Sequence, residues 1–286
     1  MNPAVAFYRE VVFGGHLLAL GTASIAASCA WVAGESPSWD LLLMAYLFTF
    51  GAYTVNRWSD FEEDKVSHPE RTSYLAPRRK ALPAIAGVAF AAGYTLASLR
   101  NLPFLAGLVA PLVLAVAYSV GSKRMGQMLG IRRLKEGLFV KNVAVAFSWS
   151  LIPILVGLYY LRFPESLIAI SPFVFMRLMV NTVFFDVRDI DADSRYGVKT
   201  IPSELGLGPS WRIMDVIDGA SAVYIVALAL SGIIPLFGGL LAAFAPYSLA
   251  YRYYARRHAG HGDTLRDLAA DGEYVMWGVV TYLGQI

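Results

Sequence analysis

Of 286 residues, 57% are hydrophobic and 16% are charged, whereas a soluble domain carries about a quarter charged residues. This balance excludes an ordinary soluble protein and marks a membrane protein. The single cysteine, Cys29, excludes an internal disulfide and a cysteine-built metal centre and reads as a small core residue; the net charge of +3 is small, its placement matters more than its size, and no nucleic-acid partner is expected.

In chain order, Met1 to Gly15 lacks the pattern of a secretory signal, so no processing is expected. A spanning helix needs roughly 20 apolar residues. By that rule nine segments are predicted: Phe13–Ala33, Leu41–Val55, Ala81–Leu99, Leu102–Val120, Leu138–Tyr160, Leu167–Phe185, Ile213–Ile234, Phe237–Tyr254 and Tyr274–Ile286. Small residues are frequent in them, which allows close helix packing in lipid. The expected fold is all-α: one polytopic membrane domain over residues 1–286, with nine transmembrane helices around a central cavity.

Basic residues cluster in alternate loops: Arg71 and Lys80 after the second segment, Lys123 and Arg132 after the fourth, Arg195 and Lys199 after the sixth, Arg252 and Arg256 after the eighth. The positive-inside rule puts these loops and the N-terminus in the cytoplasm. A weak repeat accompanies this layout. A shift of 129 residues lays Asp60 on Asp189, Asp64 on Asp193, Tyr118-Ser119 on Tyr247-Ser248 and Lys123 on Arg252. Two pseudo-repeats of a four-helix unit, about 1–130 and 131–260, are therefore expected.

Two acidic stretches stand at the ends of apolar runs. In the first, Asn56, Asp60 and Asp64 recur every four residues, so on a helix they share a face. In the second, Asp189 and Asp193 repeat the step, with Asp186 one turn earlier. Such groups at a membrane face are costly unless they hold something. Hard oxygen ligands suit Mg²⁺. The loops also supply Lys65, Arg71, Lys123, Arg188, Arg195 and Lys199. Carboxylates, Mg²⁺ and cations together would hold a diphosphate. At a membrane the natural ligand has a greasy tail, which describes an isoprenyl diphosphate. Glu62, Glu63 and Asp191 lie off the four-residue register and read as solvated or as backing the acidic faces from behind. Phe184-Phe185 reads as ordinary packing. His16 and Asn142, polar groups within spans, are candidates for the acceptor side of the cavity or for helix contacts. Asp186 is open to a metal-linked role or to proton acceptance, and Tyr118 to substrate contact or to the interfacial aromatic belt.

These residues resemble the UbiA superfamily of intramembrane prenyltransferases. The likeness rests on Asn56-x-x-x-Asp60-x-x-x-Asp64 after the second helix, the Asp186–Asp193 motif after the sixth, and the Tyr118 to Lys123 element between them. It covers essentially the whole chain. The sequence departs from the family pattern at Arg57, where many members have Asp, in the Tyr–Lys spacing, and in the run His68-Pro69-Glu70-Arg71-Thr72. The resemblance implies two Mg²⁺ ions bridging Asp60, Asp64, Asp189 and Asp193 to an isoprenyl diphosphate, with Asn56 assisting. It implies that Arg71, Lys123 and Lys199 neutralise the leaving group and that the acceptor is lipophilic. An aromatic quinone precursor is the expected acceptor, with a glycerol lipid or a tetrapyrrole as alternatives. A cation transporter is the rival of another class; it would place its acidic groups near the bilayer midplane on broken helices, not at helix ends on the basic side.

Overall fold

The computed structural model describes residues 3–111, 113, 140–196, 199–257 and 263–286. Every regular element among them is helical. The helices are α1 (Pro3–Phe13), α2 (His16–Val32), α3 (Trp39–Ser59), α4 (Phe61–Ser67), α5 (Pro69–Leu75), α6 (Leu82–Ser98), α7 (Leu102–Gly107), α8 (Val140–Ser150), α9 (Ile152–Tyr160), α10 (Glu165–Tyr196), α11 (Ile201–Leu205), α12 (Leu207–Leu230), α13 (Phe244–Arg257) and α14 (Asp263–Leu283). Short 3-10 turns occupy Ala76–Arg78 and Leu236–Ala243.

Local chemistry sets the breaks. Gly14-Gly15 separates α1 from α2, with Gly15 at φ 93, a region that favours glycine; the two helices meet at 63°. Pro69 opens α5, where its missing N–H is no loss. Asn101 caps α7, its side chain accepting from Phe104 N at 2.8 Å.

Among the described residues, three stretches are long and apolar enough to cross a membrane: Asn142–Tyr160, Glu165–Asp191 and Leu207–Leu230. Counting the bent pairs Val5–Phe13 with His16–Val32 and Pro69–Arg78 with Leu82–Ser98 as one span each gives up to five. Part of the expected fourth segment, Leu102–Val120, falls outside the described residues. Several expected boundaries move, those of the sixth and ninth segments the most. The sixth segment belongs to a 32-residue helix that runs straight through the second acidic motif to Tyr196. The ninth begins at Asp263, well before Tyr274.

α14 packs along α2, and α3 against α2 and α6. Small residues set the α2–α14 distance: a Cβ on Gly21 would stand 2.9 Å from Tyr274 Cβ, and one on Gly278 would stand 3.0 Å from Ser24 Cβ. Beside them Ser28 Oγ and Thr281 Oγ1 share a hydrogen bond of 3.0 Å. The apolar core includes Ile25, Cys29, Met44, Phe173, Leu178 and Trp277.

A second buried assembly ties α10, α12, α13 and α14. Arg177 Nε donates to Glu273 Oε1 at 2.9 Å, and its Nη2 donates to Phe244 O at 3.0 Å. Asp218 accepts from Arg177, Arg252 and Ser248. Two arginines against two carboxylates keep buried charges compensated, as burial demands. This network occupies Arg252, which the sequence alignment of the expected repeats sets against Lys123, so Arg252 serves helix packing and does not line the main cavity.

Candidate active site

A cavity of about 410 Å³ opens between α2, α3, α4, α8, α10 and α14. One end is polar and the rest is walled by apolar side chains, among them Phe48, Phe104, Trp149 and Phe185.

The first acidic arm straddles the α3–α4 break. Asp60 has φ −95 and ψ 11 and interrupts the helix, yet the four-residue hydrogen bonds continue through it. Asp60 N donates to Asn56 O at 2.9 Å, Asp64 N to Asp60 O at 2.8 Å, and His68 N to Asp64 O at 2.7 Å. Asn56, Asp60 and Asp64 therefore all reach the cavity. The second arm is continuous helix, and Asp186, Asp189 and Asp193 line the same space.

His68 links the arms. Its Nε2 accepts from Arg188 Nη2 at 3.2 Å and lies 3.5 Å from Asp189 Oδ2. Burial, followed by the charges of Arg188 and Arg71, pushes its pKa down to about 3. Arg188 Nε in turn holds Asp189 Oδ1 at 2.9 Å. Arg71 Nη2 holds Asp64 Oδ2 at 2.9 Å. Burial raises the Asp64 carboxyl from its ordinary value; Arg71 opposes that and Asp60 adds to it.

Eight of the residues offered by the sequence as site candidates thus meet at one cavity: Asn56, Asp60, Asp64, Arg71, Asp186, Arg188, Asp189 and Asp193. Others sit elsewhere. His16 lies beside the α1–α2 elbow, its Nδ1 2.5 Å from the Tyr46 hydroxyl and its ring stacked on Phe50, and does not line the cavity. Asn142 is fully buried behind the wall, donating to Asp186 Oδ2 at 2.6 Å. Lys199 is exposed and away from the cavity. Glu62 is exposed and held by Lys65 and Arg79, as its register suggests. Phe185, expected to be plain packing, lines the cavity and carries the Arg188 guanidinium at 4.8 Å. Tyr118 and Lys123 lie outside the described residues.

Sequence reasoning missed three cavity groups. Asp267 accepts from Arg188, and Asp271 accepts from Asn181 Nδ2 at 3.4 Å. Both lie on the polar first half of α14, and with Asp263 they repeat the four-residue step of the two motifs. The third is Arg57, only 7% exposed and lining the cavity. Its Nη2 donates to Val12 O at 3.4 Å, and its Nη1 has no hydrogen-bond partner.

No group of three carboxylates or imidazoles converges on one point among the described residues, because arginines hold Asp64 and Asp189. The donor chemistry nevertheless fits a hard divalent cation. The side chains of the arms are oxygen donors, and Asn56 Oδ1 is buried without a hydrogen-bond donor.

Fold and cavity define an integral membrane protein of helices around an acidic, arginine-bearing chamber. The chain belongs to the UbiA prenyltransferase family, whose sequence pattern matches residues 19–266, and it is a prenyltransferase. Among curated relatives, the digeranylgeranylglyceryl phosphate synthase of Saccharolobus solfataricus is 27% identical over 219 residues, 72% of this chain and 71% of that protein. The synthase of the same name from Methanothermobacter thermautotrophicus is 26% identical over 251 residues, 87% of this chain and 81% of that protein. Among solved structures, a UbiA homologue from Archaeoglobus fulgidus bound to GPP and Mg²⁺ superposes with a TM-score of 0.69 at 15% identity, covering 96% of this chain and 99% of that one. A UbiA homologue from Aeropyrum pernix gives 0.64 at 14% identity, covering 94% and 96%.

Proposed function

We propose that the protein transfers an isoprenyl group from an isoprenyl diphosphate to the hydroxyl of a glycerol-phosphate lipid, with Mg²⁺, at a cavity open to the cytoplasmic face. The observation that carries this is one chamber with two acidic arms and arginines at one end and an aromatic, apolar wall along the rest. A diphosphate fits the first and a prenyl tail the second. The acceptor follows the curated relatives, which by name make a glyceryl phosphate product. They support the glycerol-lipid alternative over the aromatic quinone precursor expected from sequence.

Asp60, Asp64, Asp189 and Asp193, with Asn56, would hold the metal, two ions being expected from the two arms. Bound Mg²⁺ supplies positive charge that stabilises the departing diphosphate. Arg71 and Arg188, now on carboxylates, turn to phosphate oxygens, to which guanidinium is equally matched. The allylic C–O bond breaks with its electron pair on the diphosphate. Phe48, Phe104 and Trp149 exclude water and offer π-faces to the allylic cation. The acceptor oxygen forms the new C–O bond, and its proton passes to Asp271, whose side-chain partner is a neutral amide. On the family resemblance, Lys123 would help neutralise the leaving group and Tyr118 would contact substrate.

The test is transfer by purified protein. Labelled prenyl diphosphates of graded length are incubated with Mg²⁺ and either a prenylglyceryl phosphate or hydroxyaryl acceptors, and products are read by mass spectrometry. A prenylated glyceryl phosphate is expected. Product only on the aromatic ring would return the acceptor to the quinone class.

A further inference from the structure

Arg57 is a buried cation on the cavity wall that the transfer scheme above does not use. It is 7% exposed, and among the described residues no carboxylate pairs with it. The other cavity arginines differ: Arg71 is held by Asp64, and Arg188 by Asp189 and Asp267. The charged groups that act on Arg57 from a distance are Arg71, Asp64 and Asp271. The structure makes room for the guanidinium. Nη1 packs against Gly15, where a Cβ would stand 2.3 Å from it, and Gly15 holds φ 93. A buried cation with no carboxylate in direct contact is unfavourable in the unliganded protein, so its unpartnered Nη1 points to an anion that arrives with a ligand.

The position of Arg57 says which ligand. Asn56, Asp60 and Asp64 share one face of α3–α4, toward α10. Arg57 lies one residue round the helix, about 100° away. It reaches the α1–α2 elbow through Val12 O. Thr22 of α2 and Asp271 of α14 border the same cavity. Arg57 thus enters the cavity off the face that carries Asn56, Asp60 and Asp64, although Asp64 and Arg71 remain close enough to act on its charge.

We propose that Arg57 is the anchor for an anionic group of the acceptor, a phosphate or carboxylate carried beside the attacking hydroxyl. This rests on the prenyl-transfer reading and adds to it a residue that selects charged over neutral acceptors. It also gives the departure from the family pattern at this position a chemical purpose.

Binding decides the proposal without turnover. Wild type, Arg57→Met and Arg57→Lys are titrated in detergent with a prenylglyceryl phosphate and with the matched neutral prenylglycerol, and separately with a prenyl diphosphate plus Mg²⁺. Wild type is expected to bind the phosphate at least about tenfold tighter than the alcohol, one charge-assisted contact's worth. Arg57→Met should erase that preference, Arg57→Lys should keep part of it, and diphosphate affinity should stay within about twofold. Melting of the unliganded protein provides a second readout. Removal of a buried cation that lacks a direct ion pair should leave the melting temperature of Arg57→Met equal or higher; a lowered melting temperature would mark a structural arginine and overturn the anchor. No preference in wild type, a preference retained in Arg57→Met, or an equal loss of diphosphate affinity each overturns the anchor. Transfer assays with the same acceptors judge the functional reading separately: absence of product with intact, Arg57-dependent binding would sink glycerol-lipid transfer alone.

Discussion

Asn142 and Asp186 illustrate how a buried amide sets a catalytic wall. Asp186 is 2% exposed, and the Asn142 side chain holds one of its oxygens at 2.6 Å from behind. Asn142→Ala removes a donor from a buried acceptor, which costs about 1–3 kcal/mol. A lowered melting temperature in detergent is expected, with reduced turnover because Asp186 is no longer oriented. An unchanged melting temperature would mean that other contacts of Asp186 suffice. The arms themselves should respond differently. Asp60→Ala or Asp193→Ala should leave melting nearly intact but lower turnover by at least about 10²-fold, as for loss of one preorganised electrostatic group. Chelator should abolish wild-type turnover and added Mg²⁺ restore it; full activity in excess chelator would contradict the assignment of both aspartates.

Among the elements, α14 carries the most information. Its second half packs on α2 through Gly21 and Gly278, and its first half puts Asp267 and Asp271 into the cavity. Gly21→Ala forces a Cβ to 2.9 Å from Tyr274 Cβ, an atom next to backbone that cannot swing aside. Overpacking of this kind costs about 1–3 kcal/mol, so lower melting and lower turnover are expected together. Gly272→Ala on the same helix meets nothing within 4 Å and should be neutral or slightly stabilising by helix propensity. Equal melting of the two variants would show that the α2–α14 seam relaxes freely. The same helix shows what the sequence discloses. The two motifs were legible because the four-residue step survives the break at Asp60, through the bonds Asp60 N to Asn56 O and Asp64 N to Asp60 O. Asp263, Asp267 and Asp271 repeat that step, but apolar length alone starts the helix at Tyr274 and leaves them in a loop. Arg57 was visible as a departure from the family pattern, yet its isolation from carboxylates depends on packing that no local pattern encodes. The role of Asn142 was open for the same reason: spacing does not say whether an amide faces a cavity or the back of its wall.

Across the whole molecule, charge is distributed by end. The cavity's polar end gathers Arg57, Arg71 and Arg188. Far from it in sequence and structure, Tyr159 donates to Asp40 at 2.8 Å beneath the Arg100 guanidinium, and Arg162 pairs with Glu35. On the positive-inside rule the first end is expected to be cytoplasmic. A charged prenyl diphosphate made in water would then reach the cavity without crossing lipid. Two exposed serines allow a direct test: Ser194, past the second acidic motif, and Ser36, in the α2–α3 connection. Cys29 is buried in the core, and Cys29→Ala supplies a thiol-less background. In oriented vesicles, Ser194→Cys should react with an impermeant thiol reagent only from the cytoplasmic side, and Ser36→Cys only from the other. Labelling of both from one side would break the odd number of crossings expected between them. The reversed pattern would turn the cavity mouth outward and require an extracytoplasmic source of prenyl diphosphate.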